Sequence, residues 1–245
     1  MGRRRIPAWL IGSLVWLTVA CGASDAAPVT ATPAITPVAT PSPSPDPTEE
    51  ATEVVPVPDI RVTRLRIPSV GIDAPVGESQ VVPNDAPPPP GCDPAPPGQT
   101  TLTVPPQGIV TPVDSFDGLE GRAWLFGHSR WQGEPGLLFA LADLRAGDEL
   151  VVDGVDRQTG EAVLDQRYVV EGIYLADRDS GRALVTGEAA AAPSVILQTS
   201  VRESGEGRPW IFDREALTAS ASNLVEGDLD DPCKYLLLFV VARAA

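Results

Sequence analysis

The stretch AWLFGHSRWQGEPGLLFALADLRAGDEL, residues 123–150, places the only histidine of the chain at the end of a predicted strand. Residues 123–126 are apolar or aromatic and stop at Gly127, which predicts a buried strand that ends just before His128. Leucines then recur at helical spacing behind Pro135, a residue that suits the first turn of a helix, at Leu137, Leu138, Leu141 and Leu144. A further strand is expected from Glu149. His128 is therefore the residue from which a search for a catalytic site in this sequence starts.

A second stretch, SVILQTS at residues 194–200, is a β-branched apolar run that stops at a small hydroxyl residue. A strand that delivers Ser200 beside a histidine is an arrangement that acyl transfer uses. The other interpretation is that His128 is a satisfied side chain with no chemical role, because its position at a strand end is all that favours a site.

Taken in order, these stretches resemble the sortases. The family's Gly-His pair corresponds to Gly127-His128, its leucine-spaced segment ending in Gly-Asp to residues 139–148, and its nucleophile-bearing strand to residues 195–200. LRIPSVGIDAPV, residues 65–76, looks like the family's first strand, and YLLLFVVA, residues 235–242, looks like its last. The resemblance implies a mainly β fold, a closed sortase-like β-barrel of about eight strands with one or two short helices. It also implies transpeptidase or peptidase acyl transfer.

Two positions depart from the family pattern. Ser200 stands where sortases carry the catalytic cysteine, and Leu236 and Leu237 stand where they carry an arginine before the final strand. The basic residues that remain as candidates for that role are Arg208, Arg214 and Lys234, the last being the only lysine of the chain. The sequence does not choose among them.

The composition favours one packed domain and disfavours some classes of partner and cofactor. Of 27 prolines, 21 lie between residues 28 and 106, which leaves the strand near Leu65 and the last part of the chain for a core. Low aromatic content favours a β-rich domain over a helical bundle. The net charge of −15 repels phosphates and disfavours a nucleic-acid partner. One histidine and three scattered cysteines predict neither a metal site nor a cofactor.

The amino terminus predicts export to the outer face of a bacterial cytoplasmic membrane. Three arginines precede an apolar run that begins at Ile6, is too short for a comfortable membrane span and suits a signal peptide over residues 1–21. The run ends LTVACG, which looks like a bacterial lipobox with Cys21 as the lipidated residue. The alternatives are an ordinary cleaved signal peptide and an uncleaved membrane anchor.

Residues 22–58 are rich in Thr, Ala, Pro and Ser and contain too few large apolar residues to offset the entropy of ordering. They predict a disordered tether. Proline-rich chain extends by about 3 Å per residue, so this segment is expected to hold the domain on the order of 100 Å from the membrane at most. The barrel domain is expected over residues 59–245.

Four local patterns predict details of that domain. The apolar alternation changes phase between Val62 and Leu65, which predicts a β-bulge. Residues 81–98 are expected to form a long surface loop, and the strand-like residues 150–153 and 168–176 a hairpin. Residues 177–192 are expected to form a loop with one helical turn. Residues 208–217 fit a strand, a helix or neither.

Cys92 and Cys233 are expected to form a disulfide. Lipidation of Cys21 would leave these two as an even pair in an oxidising compartment. The bond would pin the proline-rich loop to the start of the last strand. The alternative is two separate thiols.

Three functions remain open at this stage. The first is a sortase-like pseudoenzyme that binds a peptide or cell-wall component without turnover. The second is an active serine variant of a sortase, with catalysis by Ser200 and His128. The third is a structural surface lipoprotein that uses the barrel as a scaffold.

Overall fold

The computed structural model describes residues 59–245 except 86–87, 89, 94–98, 114–120, 188–189, 192, 204–208, 221–222 and 225–228. Most of the described residues lie in β-strands. The strands are β1 Ile60–Ile67, β2 Ile72–Ser79, β3 Val81–Pro83, β4 Thr100–Leu102, β5 Ile109–Pro112, β6 Arg122–Gly127, β7 Arg130–Trp131, β8 Glu134–Pro135, β9 Glu149–Asp156, β10 Ala162–Asp177, β11 Ser194–Ser200, β12 Asn223–Leu224 and β13 Leu236–Ala244. Two α-helices, α1 Arg178–Thr186 and α2 Arg214–Ser220, and two 3-10 helices, Pro68–Val70 and Leu137–Asp143, complete the fold.

The main sheet closes on itself. Its strands follow the order β12-β10-β13-β11-β6-β5-β2-β1-β9, and β9 also pairs with β10. The eight strands from β10 round to β9 therefore form a barrel. β12 is not part of that closed circuit and pairs only with β10, in parallel, over two residues. The predicted mainly β fold with a closed barrel of about eight strands and few helices is confirmed.

Two apolar clusters lie on opposite sides of the barrel wall. The inner cluster takes residues from all eight barrel strands and fills the interior. The outer cluster packs α1 against β10, β13 and β11, through Leu184 and Val185 on the helix and Phe239 on β13. Consecutive residues of these strands alternate between the two clusters, since side chains of a strand point to opposite faces. The side of the barrel wall on which α1 packs is called the outer face below.

Two local predictions are confirmed. The β1–β9 ladder shifts register between Val62 and Arg64, where the change of phase predicted a bulge. β9 and β10 form an antiparallel hairpin, longer on both sides than the predicted one.

Three local predictions differ from the structure. Residues 65–76 form two strands, because Pro68 and the positive φ of Gly71 turn the chain between β1 and β2. The leucine-spaced helix is a 3-10 helix beginning at Leu137, and Pro135 pairs with Arg130 in β8 instead of opening it. Residues 178–186 form a full helix, for which Asp177 accepts a hydrogen bond from the Ser180 amide as N-cap.

The predicted signal peptide, the Cys21 lipidation site and the tether lie outside the described residues. Within the part of the chain that the structure describes, no helix is long and apolar enough to cross a membrane.

Helix α1 depends on a glycine where it crosses β13. A Cβ added at Gly181 would collide with the ring of Phe239, which is buried. We expect Gly181→Ala to destabilise the domain by about 1–3 kcal/mol, because the ring has no space to retreat. Urea unfolding measures this, with the exposed Arg182→Ala of the same helix as the control. Unchanged or raised stability would show that the better helix propensity of alanine outweighs the collision.

Tyr168 of β10 links barrel stability to alkaline pH. Its burial, aided by the charge of Asp59, raises the pKa of its phenol to about 12. In the unfolded chain the phenol has a pKa of about 10. The contribution of Tyr168 to the free energy of unfolding is therefore complete below that pH, and it is lost as the pH rises towards 12, because only the unfolded phenol ionises in that interval. We expect the free energy of unfolding to fall by about 2–3 kcal/mol over that interval. Chemical unfolding at several pH values should show this loss in the wild type and much less of it in Tyr168→Phe.

Candidate functional site

Parallel pairing of β6 and β11 brings the two singled-out stretches together. The ladder ends at the pair Phe126 and Gln198. Beyond it, Thr199 Oγ1 donates to the carbonyl of Gly127 at 2.8 Å, and Ser129 Oγ donates to the carbonyl of Ser200 at 2.5 Å. Ser200 and the residue after Gly127, His128, therefore lie at neighbouring strand ends.

His128 is half-buried and has one described polar partner. Its Nε2 lies 3.1 Å from the carbonyl oxygen of Val104. A carbonyl can only accept, so Nε2 must carry a proton, and in the neutral ring Nδ1 is then left as the acceptor. The imidazole also packs against Trp131, with the ring centroids 4.6 Å apart, and Trp131 is 41% exposed. The ring is thus fixed by a backbone carbonyl and an exposed aromatic surface.

Ser200 is exposed and lies on the outer face. It is in phase with Ile196, which belongs to the outer cluster. No hydrogen bond joins its hydroxyl to any residue that the structure describes. Its partner across the ladder is Leu237 of β13, which in turn pairs with Ala176 of β10. The two residues that follow Ser200 across the sheet in this row are therefore apolar.

The three basic residues singled out from the sequence fall in different places. Arg208 lies outside the described residues. Arg214 begins α2, stacks on Trp210 and binds Asp230 at 2.5 Å, a hydrogen bond that lowers the pKa of that carboxyl. Lys234 lies 3.7 Å from Asp177. Arg214 and Lys234, the two that the structure describes, therefore each lie beside a carboxylate.

Sequence reasoning missed Arg178, the first residue of α1. It donates to Gln99 Oε1 at 2.9 Å, and its Cζ lies 4.9 Å from the ring centre of Tyr235. Both partners are neutral. Ser200, Leu237 and Ala176 face one another across the sheet. Tyr235 lies two residues before Leu237, and Arg178 lies two residues after Ala176. The contact between Tyr235 and Arg178 is therefore next to the row that contains Ser200. The β10–β13 register alone reveals this, since the residues are 57 positions apart in the sequence.

A short extended segment runs between these groups. Residues 99–104, here called the strap, include β4 and carry the Gln99 side chain and the Val104 carbonyl at their two ends. The hydroxyl of Ser79 holds the strap near one end, because it accepts from the amide of Thr103 at 3.1 Å and donates to its carbonyl at 2.9 Å.

The structure also joins Cys92 to Cys233, the pair proposed from the sequence. Their sulfurs are 2.05 Å apart and their Cα atoms 5.3 Å apart, within the range that a disulfide requires. Cys233 precedes Tyr235 by two residues. The bond therefore ties the loop between β3 and β4 to the approach to β13.

Two solved sortases are similar to this chain. One is sortase A of Listeria monocytogenes, at 14% identity and a TM-score of 0.37, over 75% of this chain and 87% of that one. The other is a pilus-related sortase C of Group B Streptococcus, at 12% identity and a TM-score of 0.39, over 78% of this chain and 69% of that one. At such values a function has to be argued from the residues of the site.

No family model and no curated protein matches the sequence. Among the described residues, no group of three histidine, cysteine or carboxylate side chains is placed to hold a metal ion.

A thiol at position 200 would report the charge of Arg178. In Ser200→Cys we expect the additional change Arg178→Gln to shift the pH midpoint of iodoacetamide alkylation upwards by about 0.5 to 1 pH unit, because a nearby cation favours the thiolate. Peptide mass spectrometry locates the alkylated residue. Arg182→Gln, an exposed change on the same helix, is the control. Equal midpoints for the two double variants would exclude Arg178 from the site.

Proposed function

We propose that this protein is an exported, membrane-anchored sortase-like peptide-binding protein that does not turn its ligand over. The observation that carries the proposal is the apolar neighbour of Ser200, since Leu237 occupies the cross-strand position on the outer face. The hydroxyl is exposed while no cation pairs with it across the ladder.

Activation of a serine hydroxyl needs more than a neighbouring base. A hydroxyl ionises far less readily than a thiol, and a positioned general base contributes about 10²- to 10⁴-fold. Serine enzymes support that base with a buried carboxylate that stabilises the imidazolium. His128 is supported instead by the neutral carbonyl of Val104. The geometry thus orients the imidazole without supplying the charge that an alkoxide mechanism requires.

An exposed aromatic side chain beside His128 offers a contact for an extended peptide. Trp131 presents an exposed indole beside His128, and aromatic surface of this kind supplies binding energy at low entropic cost. A peptide or cell-wall component that packs on this indole would gain such contacts.

A second candidate is acyl transfer through Ser200. It is favoured by the placement of Ser200 and His128 at neighbouring strand ends, with Nδ1 of the imidazole available as an acceptor. In this alternative, Arg178 stabilises the oxyanion. The third possibility, a scaffold without a ligand, predicts that the outer face binds no peptide.

Binding tests the primary proposal. The purified full-length protein is incubated with peptidoglycan stem peptides and with a library of unstructured decapeptides, and the retained peptides are identified by mass spectrometry. For a retained peptide, Trp131→Ala should weaken binding roughly tenfold, because the indole contributes on the order of 1.4 kcal/mol. Leu164→Ala is the matched control, since Leu164 is 70% exposed and lies on β10 outside both apolar clusters. Retention of no peptide would favour the scaffold.

Covalent chemistry separates the first two candidates. We expect the intact mass of the wild-type protein to show no ester after incubation with a retained peptide. An acyl adduct at Ser200 that is absent in His128→Ala would overturn the proposal and establish the serine enzyme. In Ser200→Cys, a thioester that also requires His128 would show that the site retains the geometry of acyl transfer.

A further inference from the structure

We propose that the strap positions His128 and Arg178 from outside the barrel wall, and that the Cys92–Cys233 disulfide fastens the strap, so that the site is assembled only in the oxidised protein. The inference deepens the proposed function, because these two side chains lie on either side of Ser200, where a peptide is proposed to bind. It concerns how those side chains are held in place and in which redox state.

The two ends of the strap bind the two polar groups on either side of Ser200. At one end, the carbonyl of Val104 accepts from His128 Nε2 at 3.1 Å. At the other, the side-chain oxygen of Gln99 accepts from Arg178 at 2.9 Å. One continuous segment therefore fixes the proton position of the imidazole and the orientation of the guanidinium.

The length of the strap matches the width of the face. Arg178 follows β10 and His128 follows β6, with β13 and β11 between them, so three strand spacings of about 4.8 Å separate the ends by about 14 Å. Five extended residue steps reach about 17 Å. The strap is therefore long enough to reach from the end of β10 to the end of β6, and the Arg178, Gln99 and His128 side chains complete the two contacts.

The strap orients these groups without covering the serine. Ser200 is exposed, so its hydroxyl stays open to a ligand, and Nδ1 of the half-buried His128 has no hydrogen bond to a described residue. An occluding segment would have buried the serine. The carbonyl of Val104 thus takes the place of the third group that orients a histidine in other sites.

A short ladder and two hydrogen-bonded residues also hold the strap in place. β3 and β4 share a ladder of three residue pairs, and an isolated two-stranded hairpin is only marginally stable. The amide of Asn84 donates to the carbonyl of Gln99, and Ser79 holds Thr103. The disulfide adds a covalent tie between this hairpin loop and the residues before β13. A dithiol opens that tie by exchange, in which the disulfide becomes two thiols and the dithiol becomes its own disulfide.

The single histidine makes the test specific. In the full-length protein labelled with ¹⁵N-histidine, the imidazole N–H signal can arise only from His128. In the oxidised wild type we expect a protected Nε2–H, because its proton is held by the Val104 carbonyl. After reduction with dithiothreitol, or in Cys92→Ser/Cys233→Ser, exchange of this proton with water should accelerate roughly tenfold or more.

A second variant loosens the strap without touching a cysteine. Ser79→Ala removes both hydrogen bonds to Thr103 and should accelerate the same exchange in the oxidised protein. The controls are Thr63→Ala, which removes a hydroxyl bonded to the Asp153 carbonyl on the far side of β1, and Cys21→Ser, which removes the cysteine outside the disulfide. Backbone amide spectra of uniformly ¹⁵N-labelled samples show whether the barrel stays folded in each variant and after reduction.

The outcomes separate this inference from the proposed function. Unchanged Nε2–H protection in the reduced wild type with a folded barrel would overturn the inference, as would an unprotected Nε2–H in the oxidised protein. Retention of no peptide would count against the proposed function and leave the exchange result intact. If peptide is retained, its affinity should fall on reduction together with the loss of protection.

Discussion

The site depends on one parallel pairing, that of β6 with β11. These strands are distant in sequence, and their ladder sets the two stretches that carry His128 and Ser200 side by side. The hydrogen bonds from Thr199 to Gly127 and from Ser129 to Ser200 continue the contact past the last ladder pair. Parallel strands require a long connection, and here the 3-10 helix, the β9–β10 hairpin and α1 make that connection and form much of the wall. The position of the site is thus a consequence of how the barrel closes.

The fold was predictable because its signals are local and repeated. Apolar alternation located the strands, and the phase change before Leu65 located a bulge that the β1–β9 ladder shows. Helix α1 was predicted as no more than one helical turn because its sequence, with Gly181 inside it, has weak helix propensity. The helix forms through tertiary contact, since Gly181 lets it approach Phe239 and Leu184 and Val185 complete the outer cluster. Propensity is a weak guide where packing decides.

The site was predictable only in part, for a different physical reason. His128 and Ser200 carry strand-end signals that a sequence shows directly. Arg178 carries none, because its place beside the outer face follows from the register of β10 against β13. Arg214 and Lys234 stood closer to the expected position in sequence, yet the fold gives each of them a carboxylate. Register is a long-range property, and a single sequence does not encode it in any local pattern.

Strand β13 gives the barrel a particular order of assembly. It lies between β10 and β11, the two strands with which it shares its longest ladders, and it follows both of them along the chain. Seven barrel strands therefore precede, along the chain, the one that closes the sheet, and until that strand pairs β10 and β11 each present an unpaired edge. Open edges pair with other chains, and sheets that need such distant contacts form slowly. The folding chain is consequently most prone to aggregation before β13 pairs, and shielding of those two edges by a chaperone would matter most at that stage, in whichever compartment the barrel folds.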